Sequence, residues 1–127
     1  MFKETVICLI IVMTIFGVDV LTQNFTKKTV SEVSNIFISL KDSISIDDKK
    51  QIENKIKELD EKWKPLHDKL AYYIEHDELE KVDTAIVTMK AYVETEDLSS
   101  AIAELDSGKF VLEHIQEKYA FNLKNIF

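Results

Sequence analysis

Apolar positions recur along most of this chain at the spacing of one helix face. Val30, Val33, Phe37 and Leu40 are separated by 3, 4 and 3 residues, which lines them up on one side of a helix. This first helix should end near residues 41–46. The clearest run follows: Ile52, Ile56, Leu59, Trp63, Leu66, Leu70 and Tyr73 step by 4, 3, 4, 3, 4 and 3. It forms a sustained apolar seam flanked by Glu53, Lys57, Glu58 and Lys62. Ser45 or Asp47 is the expected N-cap. Pro65 lies inside the run and is expected to kink the helix near residues 61–64, because proline removes a backbone bond and crowds the preceding turn.

A third helix is predicted from near Asp77. Leu79, Val82, Ile86, Met89 and Val93 mark its buried side, and Asp77, Glu78 and Glu80 suit the positive end of its dipole. A fourth begins near Asp97, with Leu98, Ile102, Leu105, Leu112 and Ile115 inward and Gly108 as a weak point in helix propensity. Short connections near residues 75–76 and 95–96 make neighbouring helices antiparallel. The tail, YAFNLKNIF from Tyr119, is rich in large apolar groups and is expected to pack back onto the bundle.

A different pattern occupies the N-terminus. Residues 5–18 read TVICLIIVMTIFGV without a charge. Fourteen helical residues span only ~21 Å, short of a ~30 Å hydrocarbon core, but residues 1–21 reach ~31 Å. Lys3, Glu4 and Asp19 then lie near the ends, where charges are tolerated. The expectation is a single-pass cell-membrane anchor over residues 1–24, continuing into a helical bundle over residues 25–127. A cleaved signal peptide is the runner-up, opposed by the lack of an A-x-A-like site. A core helix of a soluble domain is the third option. Lys27 and Lys28 follow the span and only Lys3 precedes it, which opposes an external bundle. A short N-terminal tail before a first apolar segment is the usual signal-anchor arrangement, and the bundle is placed outside the cytoplasm on that ground.

Composition narrows the picture. The 127 residues suffice for one domain, and two glycines and one proline are too few for the turns of most β folds. The expected class is all-α: an anchor helix leading into a small antiparallel bundle of about four helices. Net charge is −7, and all sixteen basic residues are lysine, so nucleic-acid binding is not expected. The charge is uneven. Residues 47–74 hold seven acids and seven lysines, whereas residues 75–106 hold ten acids and two lysines. The acidic stretch is either a solvated face or a surface for a basic partner, with Glu75, Asp77, Glu78, Glu80 and Asp83 as the candidate contact residues. Cys8 is the only cysteine, follows Ile7 rather than a small residue, and reads as a small apolar group in the membrane.

No catalytic signature occurs. The two glycines form no phosphate loop, dinucleotide fingerprint or nucleophile elbow, and HExxH is absent. No enzyme activity and no cofactor are expected. His76-Asp77-Glu78-Leu79 spells a retention signal that acts only at a C-terminus, and Asn24-Phe25-Thr26 is a weak glycosylation sequon. One constellation stands out. His76 and His114 are each nineteen residues from Thr95 and would face each other across a hairpin, with Glu113 and Glu117 nearby. Such a set can bind a transition metal or titrate as a pH-sensitive pair. The plainer alternative is a helix start capped by Asp77. His67 reads as a surface residue, and Trp63 and Tyr73 as core rather than a ligand pocket.

Trp63, LAYYIEHDELEKVD from Leu70, KAYVETED from Lys90 and the closing LKNIF resemble a bacterial family of small proteins, the domain-of-unknown-function family 4363, found mainly in clostridia and bacilli. The resemblance covers roughly residues 50–127 and the plan of an N-terminal apolar segment. It implies a bacterial membrane-anchored helical protein and carries no activity, cofactor or site residue. The combined expectation is a membrane-anchored extracytoplasmic interaction or scaffold module, partnering another membrane protein, with metal or pH sensing at His76 and His114 as the alternative.

Overall fold

The structure is a computed structural model that describes the backbone of residues 1–126 and the side chains through residue 118. Four helices follow one another: α1 (Phe2–Ser45), α2 (Lys49–Leu70), α3 (His76–Glu94) and α4 (Leu98–Ile126). No strand occurs among the described residues. The apolar tail, from Tyr119, has its side chains outside the described residues.

α1 is one helix with two environments. The most apolar eighteen-residue window in its N-terminal part is entirely unburied. Burial begins at Thr26; Val30, Val33, Phe37 and Leu40 then form the stripe predicted from periodicity, and Ile36 and Ile44 extend it. α2 and α4 both pack on this stripe, and α3 packs on α4. The seams of α2, α3 and α4 meet it: Leu59, Trp63, Leu70, Leu79, Val82, Met89, Leu105, Leu112 and Ile115 are all buried in one core. Ile56, Leu66 and Tyr73 border that core half-buried. α2 runs as unbroken helix through Pro65, so the proline interrupts one backbone bond without ending the element.

Gly108 has a role that helix propensity hides. A Cβ there would lie 2.9 Å from Phe37 Cε2 and 3.2 Å from the Cβ of Ala85. The missing side chain lets α4 approach α1 and α3 together. Helix spacing depends on the side chains at the contact, and glycine permits the closest approach.

The α1–α2 and α3–α4 turns share one construction. In the first, Asp47 N–H donates to the Ile44 carbonyl at 3.0 Å and Asp48 N–H to the Ser43 carbonyl at 3.2 Å. In the second, Glu96 N–H donates to the Val93 carbonyl at 3.1 Å and Asp97 N–H to the Tyr92 carbonyl at 2.9 Å. Both are Schellman ends, which need a left-handed residue after the cap. That residue is usually glycine; here it is Asp47 (φ 54°) and Glu96 (φ 60°). The next residue caps the following helix. Asp48 Oδ1 accepts from Gln51 N–H at 3.2 Å, and Asp97 Oδ1 from Ser100 N–H at 3.3 Å. The N-cap of α2 is therefore Asp48, not Ser45 or Asp47: the preceding Schellman bonds commit Asp47 to the left-handed position.

Four substitutions have defined outcomes in denaturant unfolding of the full chain in detergent. Gly108→Ala should destabilise the bundle by about 1–2 kcal/mol, since overpacking against buried Phe37 exceeds the gain in helix propensity. Gly17→Ala, with nothing within 4 Å of its Cβ, should leave bundle unfolding unchanged. Conversely, Glu96→Gly should stabilise by about 0.5–1 kcal/mol, because relief of left-handed strain outweighs the added entropy of the unfolded chain. Asp47→Gly should do the same at the other turn.

Candidate functional site

The α2/α3 wall differs from the other three between neighbouring helices. α1 with α2, α1 with α4, and α3 with α4 pack backbone to backbone; α2 and α3 do not. Polar side chains bridge them instead. Midway along, the Trp63 indole N–H donates to Asp83 Oδ1 at 2.6 Å. His67 Nε2 lies 3.0 Å from Asp83 Oδ2, close enough for an ion pair but not aligned as a hydrogen bond. The Trp63 and His67 rings meet edge-on, 5.8 Å between centroids. Further along, Lys90 pairs with Asp60, and at the tip Lys49 lies 3.6 Å from Glu96.

Between those last two pairs the wall opens into a cleft of about 790 Å³. Ile52, Ile56, Val93 and Leu98 supply its apolar lining. Ile52 is buried, and the other three are half-buried against the core, so the floor is the edge of the core left uncovered. Around it stand six acids and three lysines. Two of the lysines, Lys49 and Lys90, are already paired. A second, shallower hollow between α3 and α4 includes Asp77, Glu80 and Glu104 around Ala85.

The residues singled out from sequence are distributed differently from the expectation. His76, His114, Glu113 and Glu117 are all exposed. Among the described residues no three His, Cys, Asp or Glu side chains are grouped to hold a metal ion, and Glu113 lies 3.8 Å from Lys109 on its own helix. The described residues thus assemble no metal set of three or more such side chains around His76 and His114. Asp77 does not cap α3; the helix starts after Glu75 with no side-chain cap bond. Nor is the acidic stretch one surface. Glu75, Asp77 and Glu80 are exposed, but Glu78 is only 8% exposed and Asp83 is occupied by Trp63 and His67. Lys118 neutralises part of it, 3.4 Å from Glu75 and 3.7 Å from Glu78. His67 is not a surface residue either: its side chain keeps 22% exposure because α3 covers it through Asp83. Trp63 and Tyr73 line no cavity among those described. Trp63 is core, and the Tyr73 hydroxyl bonds Thr26 at 2.6 Å. Thr26 Oγ1 also lies 2.8 Å from the Thr22 carbonyl, and in its bond to Tyr73 either hydroxyl can donate.

The family model for a domain of unknown function, DUF4363, matches residues 20–126. The chain belongs to this family. No curated protein and no solved structure matches it. The match takes in the whole buried bundle and the Trp63–Asp83 bridge, and it begins inside the apolar half of α1.

Removing the acceptor of that bridge should expose its energetic role. Asp83→Ala is expected to destabilise by about 2–3 kcal/mol, because a buried indole N–H loses its acceptor. Asp83→Asn keeps an acceptor oxygen and should cost less than half as much in the same denaturant titration.

Proposed function

We propose that this protein is a single-pass, membrane-anchored interaction module whose bundle stands outside the cytoplasm and contacts another membrane protein. The observation that carries the reading is α1 itself. Its apolar part is unburied and runs, without a break, into the helix on which the bundle is built. An exposed apolar rod of this length is far larger than the patches soluble monomers carry, and a bilayer satisfies it.

The surroundings of the junction agree with that placement. Burial starts at Thr26, one turn beyond Thr22, so little helix separates the span from the bundle. The α2–α3 turn sits at the same level, tied there by Tyr73 to Thr26. Beside it Tyr72 is 90% exposed, where tyrosines favour the boundary between lipid and water. Lys27 and Lys28 are exposed on the aqueous side of the span. A non-enzymatic role is the reading of a bundle whose polar clusters bridge helices rather than converge on a reactive atom. The charge bias of the loops opposes an external bundle, and the short N-terminal tail supports it.

Fractionation of cells making the full-length protein with a C-terminal tag separates the readings. The tagged chain should pellet with membranes, resist carbonate extraction, keep its full mass, and lose its tag to protease added outside intact protoplasts. Recovery in the soluble fraction at full mass would overturn the anchor. A product shortened by the apolar segment would mark that segment as a cleaved signal.

A further inference from the structure

We propose that the α2/α3 cleft receives the apolar face of a basic amphipathic helix from the partner protein. This rests on the interaction-module reading and gives the partner a chemistry. The first argument is shape. α2 and α3 lack the close packing of the other helix pairs, and their divergence leaves Ile52, Ile56, Val93 and Leu98 facing an open groove. The groove extends from Lys49 to Asp60 on α2, about three turns or ~17 Å. That length accommodates anchors at i, i+3 or i+4, and i+7 of a docked helix.

The second argument is charge. Lys49 and Lys90 are engaged by Glu96 and Asp60. Lys57 is left against Asp47, Glu53, Glu61 and Glu94, which form no ion pair among the described residues. The rim thus presents uncompensated negative charge around an apolar floor. A partner with lysine or arginine beside its apolar face gains from that field, and an acidic one is repelled. A second copy of this chain, with net charge −7, is disfavoured on the same ground.

The probe is a helical peptide of about fourteen residues, made only of leucine and lysine in amphipathic order. Labelled peptide is titrated by anisotropy against the full chain in phosphatidylcholine nanodiscs, with empty discs as the blank. Saturable binding above the blank is expected. It should weaken about tenfold or more on the double reversal Glu53→Lys and Glu94→Lys, both exposed and outside the core. The reversal Asp77→Lys and Glu80→Lys, in the other hollow, should leave it within about twofold. A leucine–glutamate peptide should not bind. Binding no greater than to empty discs, equal loss from the two reversals, or equal binding of the acidic peptide would each overturn the inference. The membrane-fractionation result is independent of all these outcomes, so failure of the anchor and failure of the cleft are told apart.

Discussion

The approach of α4 to α1 and α3 at Gly108 sets the asymmetry of the bundle. With Phe37 and Ala85 pressed against a position that has no side chain, the two walls that α4 forms with α1 and with α3 can close tightly. The α2/α3 wall has the opposite composition. Trp63 and His67 on α2 face Asp83 on α3, and long lysines reach acids across the gap. Large residues and polar bridges hold helices further apart than glycine and alanine do. The cleft is what remains when one wall is spaced by such bridges and the others by close packing. It lies beyond the Trp63–Asp83 bridge, where only exposed or half-exposed ion pairs link the helices. Pairs of that kind contribute little, about 0–1 kcal/mol each, so they permit opening where a packed seam would not.

α1 changes character along its length. Residues 5–18 carry no charge and are apolar on nearly every side, the pattern of a candidate membrane span. From Thr26 onward the apolar residues contract to a stripe and polar residues take the rest of the surface. The change occurs without a linker. Under the proposed anchoring, such a helix would fix the height of the bundle above the bilayer. It also places the cleft, framed by the turns after α1 and α3, at the end of the bundle remote from the span.

The helices and their buried faces were legible because burial repeats every three or four residues, and Val30, Leu59, Trp63, Val82 and Leu112 carry that rhythm plainly. What periodicity could not supply was the rotation of each helix about its axis. Glu78 and Asp83 each adjoin a seam residue, Leu79 and Val82, and such flanking positions turn toward a neighbour as readily as toward water. Read as members of an acidic face, they are instead held by contacts from α4 and α2. His67 carried a usable signal, since it follows Trp63 by four residues and shares its side of α2. The packing role of Gly108 stayed hidden because propensity scores a glycine by the helix it weakens, not by the helices it admits. The facing of His76 and His114 assumed a symmetric hairpin about Thr95, which fixes register but not the direction of side chains.

The two Schellman turns connect this strain to the cleft. Asp47 and Glu96 each hold a left-handed conformation that costs a non-glycine residue about 1–2 kcal/mol, and both line the cleft. Glycine would satisfy the backbone at either turn, so the turn geometry alone does not account for an acid there. What the side chains add differs at the two turns: Asp47 brings a negative charge, unpaired among the described residues, to the open end of the groove, and Glu96 engages Lys49 at 3.6 Å. Backbone strain kept at a binding surface has a physical reason when the strained residue supplies something its relaxed replacement cannot. Under the proposed docking, Asp47 would supply charge that favours a basic partner, and Glu96 would hold Lys49 from offsetting it.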